Sequence, residues 1–158
     1  MLDFILNNKP VLVGLHLGFA IAGIDAMLWL LGEFVADPIK RTRIKIAAWL
    51  SLIGLALSWV IGGYYYVNYY GVLVKPEILK GSAPWAHLVA MEAKEHIFLF
   101  LIPIGFLILC VSMLNREQFN QLRLKKPIVI LVLVSVIIAL SLGLMGYMIS
   151  AAARWGVI

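Results

Sequence analysis

Charge is what this chain has least of. Asp, Glu, Lys and Arg together make up 13% of its 158 residues, about half the share found in soluble domains. Apolar residues fill the gap at 63%, against about 45–50% in soluble domains, which excludes an ordinary water-soluble core. Cysteine is almost absent. Cys110 stands alone in an apolar run, so disulfides play no part in the fold. There is no Ser-His-Asp arrangement, phosphate-binding glycine loop, zinc knuckle, internal repeat or low-complexity segment. The net charge of +5 would point to nucleic acid in a soluble chain. Here the charges lie between apolar runs, where topology accounts for them, and no nucleic-acid partner is expected. The N-terminus lacks a basic n-region and a small-residue cleavage site, so its first apolar run is expected to act as a span and not as a signal peptide.

What is there instead is a set of four long apolar runs, 11–36, 44–66, 85–114 and 128–153. Each exceeds the ~20 helical residues needed to cross about 30 Å of hydrocarbon. They are continuous rather than alternating, and an open sheet cannot satisfy its backbone in lipid. The expected fold is therefore all-α, one integral membrane domain built as a four-helix bundle. The first loop carries Lys40, Arg41, Arg43 and Lys45, and the third carries Arg116, Arg123, Lys125 and Lys126. The N-terminal segment has Lys9, the middle loop Lys75 and Lys80, and the tail Arg154. The positive-inside rule puts the first and third loops in the cytoplasm and both termini outside, on the periplasmic face of a cell inner membrane. Asp37-Pro38 is expected to end the first helix, Pro84 and Pro127 to open the third and fourth, and Pro103 to kink the third. Tyr64, Tyr65, Tyr66, Tyr69 and Tyr70, with Trp85 opposite, read first as an interfacial aromatic belt; the alternative is that some of these rings line a ligand pocket.

Residues that are costly to bury in a bilayer are functional candidates. The first run holds His16, Asp25 and Glu33, and the third holds His87, Glu92, Lys94, Glu95 and His96, while the second and fourth have no ionisable residue in their interiors. At about 1.5 Å per residue, His16 stands roughly 31 Å from the cytoplasmic end, His96 roughly 28 Å and His87 roughly 42 Å. His16 and His96 are thus expected at similar height near the outer leaflet; aligning the outer ends instead brings His16 nearer His87 and Glu92. In α-helical geometry Glu92 and His96 share one face, and His87, Met91 and Glu95 another. His16 lies between Gly14 and Gly18, with Ala20, Ala22 and Gly23 following. Such spacing serves close helix approach, and it also leaves room for a flat macrocycle.

Three chemistries suit this set. Neutral imidazoles on facing helices are axial ligands for haem, with Lys94 or Arg154 available to its propionates. Glu92, Glu95 and His96 with His16 are ligands for a bare metal, or the carboxylates and Lys94 serve as a proton relay. Alternatively the charges are structural, Asp25 pairing with Lys94 and Glu95 left for another subunit.

Leu15-His16-Leu17-Gly18, then Trp85-Ala86-His87 and Lys94-Glu95-His96, resemble the haem-binding membrane proteins of the copper-resistance-D-like and HemJ types. The likeness covers a few residues on two helices and is to a general haem-bundle pattern rather than to one activity. It implies haem b held by His16, with His96 or His87 opposite. The expectation is a multi-pass b-type haem protein that passes electrons, in which Glu92, Lys94, Glu95 and Asp25 surround the ligands. Lipid and other membrane subunits or further copies of itself are its expected partners. No catalytic residue is assigned. The runner-up is a cofactor-free accessory subunit, or a transport, proton- or metal-binding component of a membrane complex.

Overall fold

A computed structural model describes residues 2–36 and 40–155. Among them every regular element is helical. A short α1 (Leu2–Leu6) precedes α2 (Lys9–Val35). Asn8 caps α2, its side chain accepting from the Val11 amide at 3.3 Å, and Pro10 occupies the first turn, where its missing N–H is not needed. The Asp37-Pro38 stop lies outside the described residues.

α3 begins at Arg41 and runs to Tyr65. It does not end at the tyrosines. A π-helical segment, Tyr66–Val74, carries it into α4 (Lys75–Lys80), so one helix of 40 residues replaces the expected 44–66 run and its following loop. Gly81 stops it, its amide bonding back to Glu77 and Ile78. Pro84 opens the next helix, its carbonyl taking the amides of His87 and Leu88, both at 3.1 Å. A second π segment, Ala86–Met91, leads into α5 (Glu92–Met113), which contains Pro103. α6 (Arg116–Gln121) is closed by a reciprocal capping box between Asn115 and Gln118. α7 (Lys125–Trp155) has Pro127 in its first turn.

Four helices are long and apolar enough to cross a membrane. They pack as a ring in chain order, α2 against α3, α3 against α5, α5 against α7 and α7 against α2. The end holding Ala36, Lys40 and residues 114–124 is the lower end, and the end holding residues 80–86 the upper. The outside is clad in exposed apolar side chains such as Leu17, Trp49, Leu57, Phe100, Ile137 and Leu144, as suits contact with lipid chains.

Lipid gives no hydrophobic drive between helices, so close backbone approach must supply the packing energy. α2 and α3 supply it at Gly23 and Gly54. A Cβ on Gly54 would lie 2.7 Å from Gly23 Cα, and one on Gly23 would lie 2.9 Å from the Leu55 amide nitrogen. Neither backbone can give way, so both positions need glycine.

The lower half has an apolar core of Met27, Leu30, Phe34, Ile44, Leu55 and Val132, with Ile108 and Phe119. Phe34 stacks on Phe119, ring centroids 5.9 Å apart. Arg41 crosses the same end. Its guanidinium lies 4.8 Å from the centre of the Phe119 ring and donates to the carbonyls of Ser112, at 3.2 Å, and Leu114. Glu33 is buried, accepting from Trp29 at 3.0 Å and Arg43 at 3.3 Å. Arg41 and Arg43 of the first loop therefore latch the helix ends.

Candidate functional site

His16 leans from α2 onto α3. Its Nδ1 lies 2.8 Å from the Ser58 carbonyl oxygen and 3.0 Å from Ser58 Oγ. The Ser58 hydroxyl spends its own hydrogen on the His16 carbonyl, at 3.0 Å. Nδ1 is thus faced by one oxygen that can only accept and another whose proton is already committed. That places the imidazole hydrogen on Nδ1 and the free lone pair on Nε2. One turn along α3, Gly62 makes the space for the ring: a Cβ there would fall 2.5 Å from Nδ1 and 2.7 Å from Cε1.

The same stripe of the long helix continues upward through Tyr66 and Tyr70 in steps of four residues. A four-residue step drifts about 40° per turn in an α-helix at 100° per residue. The wider π register, with i→i+5 bonding, takes up that drift and keeps the two tyrosines aligned. Their rings stack at 5.2 Å. Tyr66 stands beside Glu95. Tyr70 is buried, and its hydroxyl lies 3.2 Å from His87 Nδ1. His87 is itself only 2% exposed, and its Nε2 is 3.9 Å from Glu92 Oε1.

The second π segment explains the His87–Glu92 contact. Residues five apart in an α-helix diverge by about 140°, which is why α-helical geometry groups His87 with Met91 and Glu95. In a π turn residues five apart stack. Ala86–Met91 adopts that turn, so His87 faces Glu92. The expected grouping is corrected accordingly.

Lys94 points inward. It lies near enough to His16 and Glu95 for their charges to interact, and its Nζ comes within 3.5 Å of where a Cβ on Gly146 would be. The glycine leaves the lysine its berth. Glu95 Oε1 is shielded from solvent and has no hydrogen-bond partner among the described residues. His96, two residues or about 200° beyond Lys94, faces the outside, its Nδ1 2.7 Å from the Glu92 carbonyl. Asp25 is also exposed, and no Asp25–Lys94 ion pair forms among the described residues. Arg154 is exposed and donates to the Ser150 carbonyl at 3.2 Å.

The structure thus gathers His16, Lys94, Glu95 and His87 along the inside of the upper half, with Glu92 exposed at the edge of that set, and turns His96 and Asp25 away. His16 contacts Ser58 while His87 contacts Tyr70, twelve residues further along the helix, so the two imidazoles stand roughly 18 Å apart in height. Among the described residues no three His, Cys, Asp or Glu side chains converge to hold a metal ion. Near the upper end of α7, a recess of about 230 Å³ opens between Ala83, Trp85, Tyr147, Met148 and Trp155. Its lining is apolar and includes none of His16, Lys94, Glu95, His87 and Glu92.

Sequence reasoning missed Ser58, Gly62, Tyr66 and Tyr70 as parts of one stripe. Their four-residue spacing was the available signal. Neither known protein families, nor characterised proteins, nor solved structures give a match to this chain.

Proposed function

We propose that this chain is a proton-handling subunit of an inner-membrane assembly, with both termini outside. The carrying observation is the row of titratable groups, Glu92, His87, Tyr70, Tyr66, Glu95, Lys94 and His16, that runs down the upper half of the bundle from an exposed carboxylate. Each member can hold or release a proton, and neighbours sit close enough to share charge. Glu92, half exposed at its side chain, is the entry. Tyr70 and Tyr66 lead from it to Glu95 and its neighbour Lys94. His16, its hydrogen fixed on Nδ1, offers Nε2 as the terminal acceptor. Below it the core is mainly apolar, with Leu30, Phe34, Ile44 and Leu55 buried; of the polar groups there, Ser112 and Ser135 donate to carbonyls of their own helices and Glu33 is held by Trp29 and Arg43 at the lower end. The file is thus a half-channel that charges a site in the upper half of the bundle and does not conduct across it.

Two measurements test this. A pH step on reconstituted protein followed by infrared difference spectroscopy should show a protonated-carboxyl signal that disappears in Glu95→Gln. Liposomes holding a pH-sensitive dye should show no proton flux above protein-free controls. A carboxyl signal indifferent to Glu95→Gln would defeat the relay, and flux through the isolated chain would defeat the half-channel.

Haem b is the second reading, favoured by the pinned Nδ1 and available Nε2 of His16, the usual preparation of a metal-binding imidazole. The residues fit one axial ligand and not two. His87 is buried against Tyr70, with its Nδ1 at the Tyr70 hydroxyl, and His96 faces outward, so a bis-histidine site is not formed within the chain in this arrangement. A visible spectrum of protein made with ample haem, oxidised and then reduced with dithionite, decides it. A Soret band lost in His16→Ala would establish haem, and a featureless spectrum would remove it.

A further inference from the structure

Asp25 is the residue that the proton file leaves unexplained. It lies three residues, roughly 5 Å, from Ala22 at the midpoint of α2. That is the most costly depth for a carboxylate, yet the side chain is exposed on the outside of the bundle. At 100° per residue, Gly14, Gly18, Ile21, Trp29 and Gly32 fall within about 40° of it, and all of them are exposed. No packing within the chain requires these glycines: a Cβ on Gly14, Gly18 or Gly32 would meet no atom within 4 Å, whereas one on Gly23, on the opposite side of α2, would run into α3. A face with three open glycines, flanked by Ile21 and Trp29 and centred on a charge with no salt bridge among the described residues, is therefore presented to the membrane.

From this juxtaposition we infer that the Gly14–Gly32 face of α2 docks a transmembrane helix of another protein that carries a lysine or arginine at the depth of Asp25. Charge complementarity selects the occupant. The exposed basic residues of this chain sit at its two ends, at Lys9, Lys40, Arg43, Lys45, Lys80, Arg116, Arg123, Lys125, Lys126 and Arg154. Its one lysine at membrane depth, Lys94, is turned inside against Gly146. Among the described residues, a second copy has no cation to bring to Asp25. The glycines let a partner backbone approach closely, and the docked helix excludes lipid from the ion pair.

The test uses the whole protein with a donor fluorophore on a terminal tag, in phosphatidylcholine vesicles. The probes are acceptor-labelled leucine-alanine helices with a single Lys, Leu or Glu at mid-depth. Energy transfer to the Lys helix is expected at a peptide-to-lipid ratio at least tenfold below that for the Leu and Glu helices. Asp25→Asn should abolish that preference, and Gly18→Ile should weaken the Lys helix several-fold. Both variants alter outward positions, and circular dichroism confirms that they fold. Equal transfer to the Lys and Leu helices, or a Lys preference that survives Asp25→Asn, overturns the proposal. So does strong transfer between differently labelled copies of this chain that Gly18→Ile removes, which would assign the face to a homodimer. The outcome is independent of the proton file, because neither variant touches it.

Discussion

The lower and upper halves of the bundle are built from the same four helices and solve opposite problems. The lower half is filled with Met27, Leu30, Phe34, Ile44, Phe119 and Val132 and closed by Arg41 across two carbonyl groups. Its backbone is regular α-helix. The upper half places a carboxylate, imidazoles, a lysine and phenols inside, and both π segments lie there. A π turn is poorer in hydrogen-bond geometry than an α turn and marks functional positions. Here each one has a visible effect: the first aligns Tyr66 with Tyr70, and the second turns His87 onto Glu92. Stability is concentrated below, and chemistry above.

Substitutions can break that division, and the largest effect is expected at the waist. Gly54→Leu would drive a side chain into the α2 backbone, at a cost of about 3 kcal/mol or more, seen as an early midpoint when the purified protein is unfolded with a denaturing detergent. Phe34→Ala opens the lower core and removes the stack with Phe119, for about 3 kcal/mol in the same assay. Ser58→Ala strips His16 of one oxygen and leaves the carbonyl, a loss of about 1 kcal/mol. Its sharper mark would be a changed imidazole resonance for His16 in NMR. Smallest of all, the double variant Lys94→Met with Glu95→Gln should leave stability unchanged or raise it by about 1 kcal/mol, because it removes two charges that are costly to shield from water and that form no salt bridge among the described residues. The same double variant should lose the carboxyl signal in full. A large destabilisation there would make the charged pair a structural element and erase the contrast between the halves.

The four spans were legible in the sequence because hydropathy and length decide them, and the observed helices begin and end within a few residues of the expected runs, except where α3 runs on. The π segments were not legible: Tyr64–Tyr70 has the composition of an aromatic belt whatever its backbone register, and Tyr70 in fact turns inward while Tyr69 donates to the Leu6 carbonyl at 2.7 Å. The candidate residues were found from cost alone, since His16, His87, Glu92, Lys94 and Glu95 stand out in apolar runs. Which of them face inward was beyond α-helical arithmetic. A π turn rotates everything after it, and the choice between Lys94 and His96 as the inward residue depends on that rotation. The packing role of the small residues in α2 was foreseen for the group, but only the structure separates Gly23, used inside the bundle, from Gly14 and Gly18, left open outside it.

The most direct test of the account is the infrared pH-step experiment on wild-type protein and on Glu95→Gln, with Tyr66→Phe as a third sample. A protonated-carboxyl signal that is present in the wild type, gone in Glu95→Gln and shifted in Tyr66→Phe is the predicted result, since it would show Glu95 taking up the proton beside Tyr66. Identical spectra from all three proteins would contradict the account and leave the upper half without a proton-handling role.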